Sequence, residues 1–174
     1  DQIWIIGSIS SESTIGASSY LEYFHGLVTG RPPKIDLLDE KYCQSFIREA
    51  ILNNYVSSSH DVSDGGLAVT LSECCILSSK GATIKLEGEN VRKDSLLFSE
   101  GGSRIVFSLN KKEEVNFLNF LSGKRKDFSK NVYVHKIGIV SKKNLNISFN
   151  DEELCNLRVD ELTKKFNNSI SSHF

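Results

Sequence analysis

The 174-residue sequence contains no methionine, two prolines and a single tryptophan. Translation starts at methionine, yet Asp1-Gln2-Ile3-Trp4-Ile5-Ile6 already reads as a strand under way. Initiator removal, processing or excision has to account for such a start, and excision from a longer chain is the expectation. The two prolines stand side by side in Gly30-Arg31-Pro32-Pro33, where restricted backbone angles make a stiff connector rather than a domain linker. No apolar run approaches the ~20 residues that cross a bilayer, and no basic segment precedes a hydrophobic one at the start. A cytoplasmic location without a membrane partner is expected.

Charge of one sign is missing too. Lys and Arg number 21 against 22 Asp and Glu, interspersed, for a net charge of -1 at pH 7. Binding to nucleic acid needs a sustained basic face, so nucleic acid is not an expected partner. The densest basic run, Lys124-Arg125-Lys126 with Lys130 behind it, lies beside Asp127 and reads as a solvated loop. Cys43, Cys74, Cys75 and Cys155 show neither CxxC spacing nor a Cys/His cluster, which points to reduced, buried thiols rather than disulfides or zinc. Also absent are a Walker loop, a GxGxxG fingerprint, a nucleophile elbow and an HExxH helix.

What is present suits one well-cored domain. Hydrophobic residues make up 39% and charged residues 25%, ordinary globular usage. A chain this long buries roughly 70% of its unfolded surface. The periodicities predict a strand at Ile3–Ile9, a loop at Ser10–Ser19, helices at Tyr20–Val28 and Asp36–Tyr55, and a short strand at Val56–His60. A helix at Leu67–Leu77, strands at Ala82–Leu86 and Arg104–Leu109, and a helix at Lys111–Leu121 follow. Val132–Val140 and Leu145–Phe149 are expected to pair around Ser141–Asn144, and Asp151–Phe166 to close the chain as a helix with an acidic first turn. Strict βαβ alternation is missing, so the expected class is α+β, a layered α/β arrangement in which a mixed β-sheet is covered by helices. The expected domain is 1–166, with a polar tail at 167–174.

Three segments could carry chemistry. In Ser59-His60-Asp61-Val62-Ser63-Asp64-Gly65-Gly66-Leu67-Ala68, carboxylates flank a serine and a glycine pair opens a helix. Glycines admit a ligand to the backbone, and free amides at a helix start attract anions. The plainer reading is that Asp61, Ser63 or Asp64 caps the helix, worth about 1 kcal/mol, and that His60 is a hydrogen-bonded core histidine. In Leu97-Phe98-Ser99-Glu100-Gly101-Gly102-Ser103-Arg104, Glu100 and Arg104 either pair with each other in a turn or face a polar ligand. Ile15-Gly16-Ala17-Ser18-Ser19-Tyr20 is a small-residue loop entering a helix, again with amides suited to an anion.

In order and content these pieces resemble the C-terminal domain of the aminoimidazole ribonucleotide synthetase superfamily, most specifically that of the phosphoribosylformylglycinamidine synthases. Ile15 to Leu21 is similar to that family's Leu-Gly-Gly-Ser-Glu-Tyr-Leu, and His25-Gly26 with Gly30 to Leu37 to its His-Gly and Gly-x-Pro-Pro-x-Ile-Asp-Leu segment. Ser59 to Ala68 matches the last ten residues of Ser-x-His-Asp-Val-Ser-Asp-Gly-Gly-Leu-Ala, and Leu96 to Glu100 lies where the family has Leu-Phe-Ser-Glu-Ser. Ala17, Ser19, Gly101 and Gly102 depart from the pattern.

The resemblance implies an ATP-dependent ligase that converts formylglycinamide ribonucleotide to the amidine with glutamine-derived ammonia. ATP and Mg²⁺ would serve the complete enzyme. Its partners would be the remaining domains of the parent chain, a glutaminase domain or subunit and the ribonucleotide substrate. The principal chemistry would lie upstream, leaving no catalytic residue here. Asp61, Ser63, Asp64, Gly65, Gly66, Glu100 and Arg104 would line a nucleotide or substrate cleft. Alternatives are a non-catalytic scaffold half of a pseudo-dimer and another superfamily member, such as aminoimidazole ribonucleotide synthetase or selenophosphate synthetase. Homodimerisation of the isolated chain stays open.

Overall fold

The structure, a computed structural model, describes residues 1–7 and 15–169. Parts of the expected first strand, first loop and tail, namely residues 8–14 and 170–174, lie outside the described residues.

Seven strands among the described residues form one sheet: β1 (Gln2–Gly7), β2 (Ser58–Asp61), β3 (Gly81–Leu86), β4 (Ile105–Leu109), β5 (Tyr133–Ser141), β6 (Asn144–Phe149) and β7 (Glu152–Arg158). Their order is β2-β4-β1-β5-β3-β6-β7. Every pair is antiparallel except β3 with β6, so the sheet is mixed. The helices are α1 (Ser19–His25), α2 (Leu37–Leu52), α3 (Gly66–Ser78), α4 (Lys93–Phe98), α5 (Glu114–Lys124) and α6 (Val159–Asn168).

β1 lies inside the sheet and is buried along its whole length. Successive strand side chains point to opposite faces, and β1 accordingly feeds two cores. Ile3 and Ile5 join Leu67, Leu71 and Cys75 of α3, Leu96 of α4 and Val159 of α6. Trp4 and Ile6 join Cys43, Phe46 and Ile47 of α2 with Phe117 and Leu121 of α5. Helices thus cover both faces of the sheet, as the apolar stripe of α2 and the largely apolar sequence of α3 require.

Local signals set several element ends. The Asp36 carboxylate accepts from Leu38 N at 2.9 Å and Asp39 N at 3.1 Å, starting α2. Gly26, at φ 65°, caps α1, which ends at His25, three residues before the expected Val28.

Three expectations are corrected. The predicted helix Asp151–Phe166 begins as a strand instead. Asn150 and Asp151 take φ of 47° and 63°, the positive values that a two-residue type I′ hairpin turn demands, and β7 folds back on β6 before α6 starts. β5 and β6 do not pair with each other, because β3 lies between them. The connection crosses the start of β3 at Gly81, where a Cβ would stand 2.3 Å from the Asn144 carbonyl oxygen. The helix α4 had no counterpart in the periodicity, since one six-residue helix is too short to display a stripe.

Register places Gly7, Asp61, Ile105 and Tyr133 together at one end of the sheet, through the pairs Asp61 with Ile105, Ile6 with Ile105 and Gly7 with Tyr133. The loops carrying the polar motifs leave from this end.

Candidate functional site

α1, α3 and the loop after α4 all begin or end beside Glu100. Its Oε1 accepts hydrogen bonds from Ser19 N at 2.8 Å and from Gly65 N at 2.7 Å. One carboxylate therefore joins the three segments singled out in the sequence. It also occupies amides expected to be free for an external anion, which corrects that expectation for Ser19 and Gly65. Negative charge at these amides is favoured for the reason any helix start favours it, namely backbone N–H groups without an intrahelical acceptor.

The glycine pair fits this packing. Gly65, at φ 77°, is the N-cap of α3 and no side chain caps the helix, so the reading of Asp61, Ser63 or Asp64 as the cap does not hold. Gly66 has φ 70°, and a Cβ there would lie 2.7 Å from the Phe98 carbonyl carbon and 2.8 Å from Leu97 O. The α3 start is thereby pressed onto the end of α4. On the other side of that end, the Phe98 ring stacks on Tyr20 of α1 with centroids 4.6 Å apart.

Arg104 is buried, and its guanidinium donates to the carbonyl oxygens of Gly101, at 3.3 Å, and Ser99. Burial pushes its pKa down to about 10, which leaves it charged at neutral pH. Among the described residues Arg104 forms no ion pair, so the expected Glu100–Arg104 pairing is corrected: amides hold the carboxylate, and carbonyls hold the guanidinium. The carbonyls it clamps flank Glu100 directly. Ser99 is fully buried, and its Oγ has no hydrogen-bond partner among the described residues.

Asp61, Ser63 and Asp64 are exposed. The Ser63 carbonyl accepts from Gly66 N at 3.0 Å. The Asp61 carbonyl accepts from Thr70 Oγ1 at 3.3 Å and lies 2.7 Å from His60 Nδ1. His60 Nε2 stands 3.4 Å from a Glu73 carboxylate oxygen, so both ring nitrogens have partners, but His60 is half-buried on the edge strand β2, which corrects the core placement.

Sequence reasoning missed the tie between this loop and α2. Ser103 Oγ donates to Glu40 Oε2 at 2.9 Å, and Cys43 Sγ to Ser103 O at 3.3 Å. No spacing links residues so far apart in the chain, so nothing local signals these contacts.

Among the described residues, no three His, Cys, Asp or Glu side chains converge in a way that could hold a metal ion. No helix of the described residues is long and apolar enough to cross a membrane. All four cysteines are free, two of them buried. A cavity of about 780 Å³ opens where β3 and β5 part, lined by Lys85, Leu86, Leu96, Tyr133 and His135 among others, but by none of the seven predicted site residues.

Residues 1–145 match the family model described as AIR synthase related protein, C-terminal domain. The chain is 72% identical over all 174 residues to phosphoribosylformylglycinamidine synthase subunit PurL of Prochlorococcus marinus strain MIT 9515, and it spans 22% of that protein's length. In fold it is similar to Thermotoga maritima PurL complexed with FGAR, with a TM-score of 0.74 at 17% identity, over 93% of this chain and 27% of that one. The T. maritima PurL complexed with ATP gives a TM-score of 0.68 at 17% identity, over 93% of this chain and 25% of that one.

Proposed function

We propose, because the chain belongs to the AIR synthase related protein family through its C-terminal domain, that it works as one domain of a phosphoribosylformylglycinamidine synthase in purine biosynthesis. The observation that carries this reading is 72% identity to a PurL subunit along the entire chain. The chain spans about a fifth of that relative, 22%, so the activity proposed is that of a larger protein.

In that protein ATP phosphorylates the amide oxygen of formylglycinamide ribonucleotide. Ammonia from a glutaminase domain or subunit then adds to the activated carbon, and phosphate leaves to give the amidine. Catalysis of phosphoryl transfer rests mainly on positioning and on charge neutralisation. Among the described residues no three metal-ligating side chains converge, and no step of this domain's role runs through the metal.

The domain's part is to complete a cleft. The exposed side chains of Asp61, Ser63 and Asp64 supply its surface, half-buried Gly65 and buried Gly66 shape the turn beneath them, and Glu100 and Arg104 support that loop from behind. The internal engagement of Glu100 and Arg104 also favours a second reading, in which the domain is a scaffold without ligand contacts. The remaining domains of the parent chain are the proposed partners, and the cytoplasm is the proposed compartment.

Ammonia-dependent amidine formation by the parent enzyme lacking this segment, with and without the folded 174-residue chain added back, tests the proposal. Restored turnover is expected. Two folded, associating pieces that stay inactive would refute the requirement for this domain.

A further inference from the structure

We infer that Glu100 is a positioning residue that fixes the Asp64-Gly65-Gly66 loop against α1 by binding two backbone amides, and does not itself meet a ligand. The inference rests on the cleft reading above and deepens it by separating the side chains that present the surface from the one that shapes it.

The geometry is a relay of three layers. Innermost is Arg104, only 3% exposed, whose guanidinium holds the Ser99 and Gly101 carbonyls. A planar guanidinium fork spanning the residues on either side fixes the backbone that carries Glu100. Next, Glu100 Oε1 takes hydrogen bonds from Ser19 N and Gly65 N, at 2.8 and 2.7 Å. Those donors lie 81 and 35 residues away in sequence, so this carboxylate joins parts of the chain that no local structure connects. Outermost is Asp64, exposed and adjacent to Gly65, whose direction follows from where the Gly65 amide is held.

A carboxylate accepting from two backbone amides makes charge-assisted bonds, roughly twice as strong as neutral ones. Gly65 and Gly66 have φ of 77° and 70°. A loop built on two such residues has few local restraints of its own, since glycine visits both signs of φ readily. Its conformation has to be imposed from outside, and Glu100 is the side chain placed to do so.

The test uses the full-length synthase carrying Glu100→Ala, Glu100→Gln or Asp64→Asn, with kcat and KM measured per folded molecule across pH and melting recorded for each variant. Misplacing a reacting group by about 1 Å can cost ~100-fold in rate, so Glu100→Ala is expected to lower kcat by at least about 10-fold. Glu100→Gln keeps an oxygen that accepts both N–H groups and is expected to recover most of the turnover, with an unchanged pH profile. A Gln variant with a shifted pH profile, or one that melts like wild type yet turns over as poorly as Ala, would mean that the charge itself faces a ligand, and the inference would be overturned. An active Glu100→Ala beside an impaired Asp64→Asn would remove the positioning role while leaving the cleft reading intact. If neither Asp64→Asn nor Glu100→Ala changed turnover, the cleft reading would fall with it. Should the Ala variant not fold, the comparison of Gln with wild type still decides between positioning and charge.

Discussion

Gly66→Ala should be among the most damaging single-methyl additions in this chain, and Gly26→Ala supplies its control. Both glycines have positive φ, 70° at Gly66 and 65° at Gly26. Placing an L-residue in the left-handed region costs about 1–2 kcal/mol, a charge common to both variants. So is the entropy that alanine removes from the unfolded chain, which offsets about 0.4–1 kcal/mol. What differs is space. Around a Cβ on Gly26 nothing lies within 4 Å, whereas on Gly66 it would meet Phe98 C at 2.7 Å and Leu97 O at 2.8 Å. These are backbone atoms at the end of α4, so relief requires moving α3 away from α4 rather than turning a side chain. Overpacking of that kind typically adds about 1–3 kcal/mol. With about 2–4 °C lost per kcal/mol in a chain of this size, Gly66→Ala is expected to melt some 4–8 °C below Gly26→Ala, for a difference of roughly 2 kcal/mol. Urea titrations followed by circular dichroism, with equal slopes required, would give the same difference as a free energy. Equal midpoints for the two variants would refute the close approach of the two helices at Gly66.

Three further outcomes follow from buried polar atoms. Ser99 Oγ is buried without a partner among the described residues, and an unsatisfied hydroxyl costs about 1–3 kcal/mol, so Ser99→Ala should raise the melting temperature; a fall would show that the hydroxyl has a partner. Burial, helped by Glu40 and Asp39, pushes the Cys43 thiol up to about 12, and burial with Cys74 beside it pushes Cys75 up to about 11, from an ordinary 9.0. The folded state therefore holds these protons longer than the unfolded state does. Their contribution to stability is complete below pH 9.0 and is lost as pH rises through about 11 and then about 12. Alkylation of the native protein near pH 8 should spare Cys43 and Cys75 while denaturant exposes all four thiols, and equal labelling before and after denaturation would contradict their burial.

Much of the fold was legible because its signals are local. The alternation in Ala82–Leu86 and Arg104–Leu109 and the helical spacing around Phe46, Ile47 and Ala50 need only a few neighbouring residues to be read. The segments later found around Glu100 were visible for the same reason, as glycines and carboxylates at unusual density. The hairpin turn at Asn150-Asp151 was also written in the sequence, but an acidic run after it imitated a helix start and hid β7.

By itself, the sequence determined the class of the fold, the positions of most strands and helices, and the motifs that place the chain in its family. Each depends on residue types at short, regular spacing. Only the tertiary structure decided that β3 separates β5 from β6, that Ser19 and Gly65 share one carboxylate, and that Arg104 turns inward to carbonyls rather than to Glu100. Those outcomes are settled by which distant backbone groups come within hydrogen-bonding reach once both cores are packed, and the spacing of residues along a chain carries no record of that.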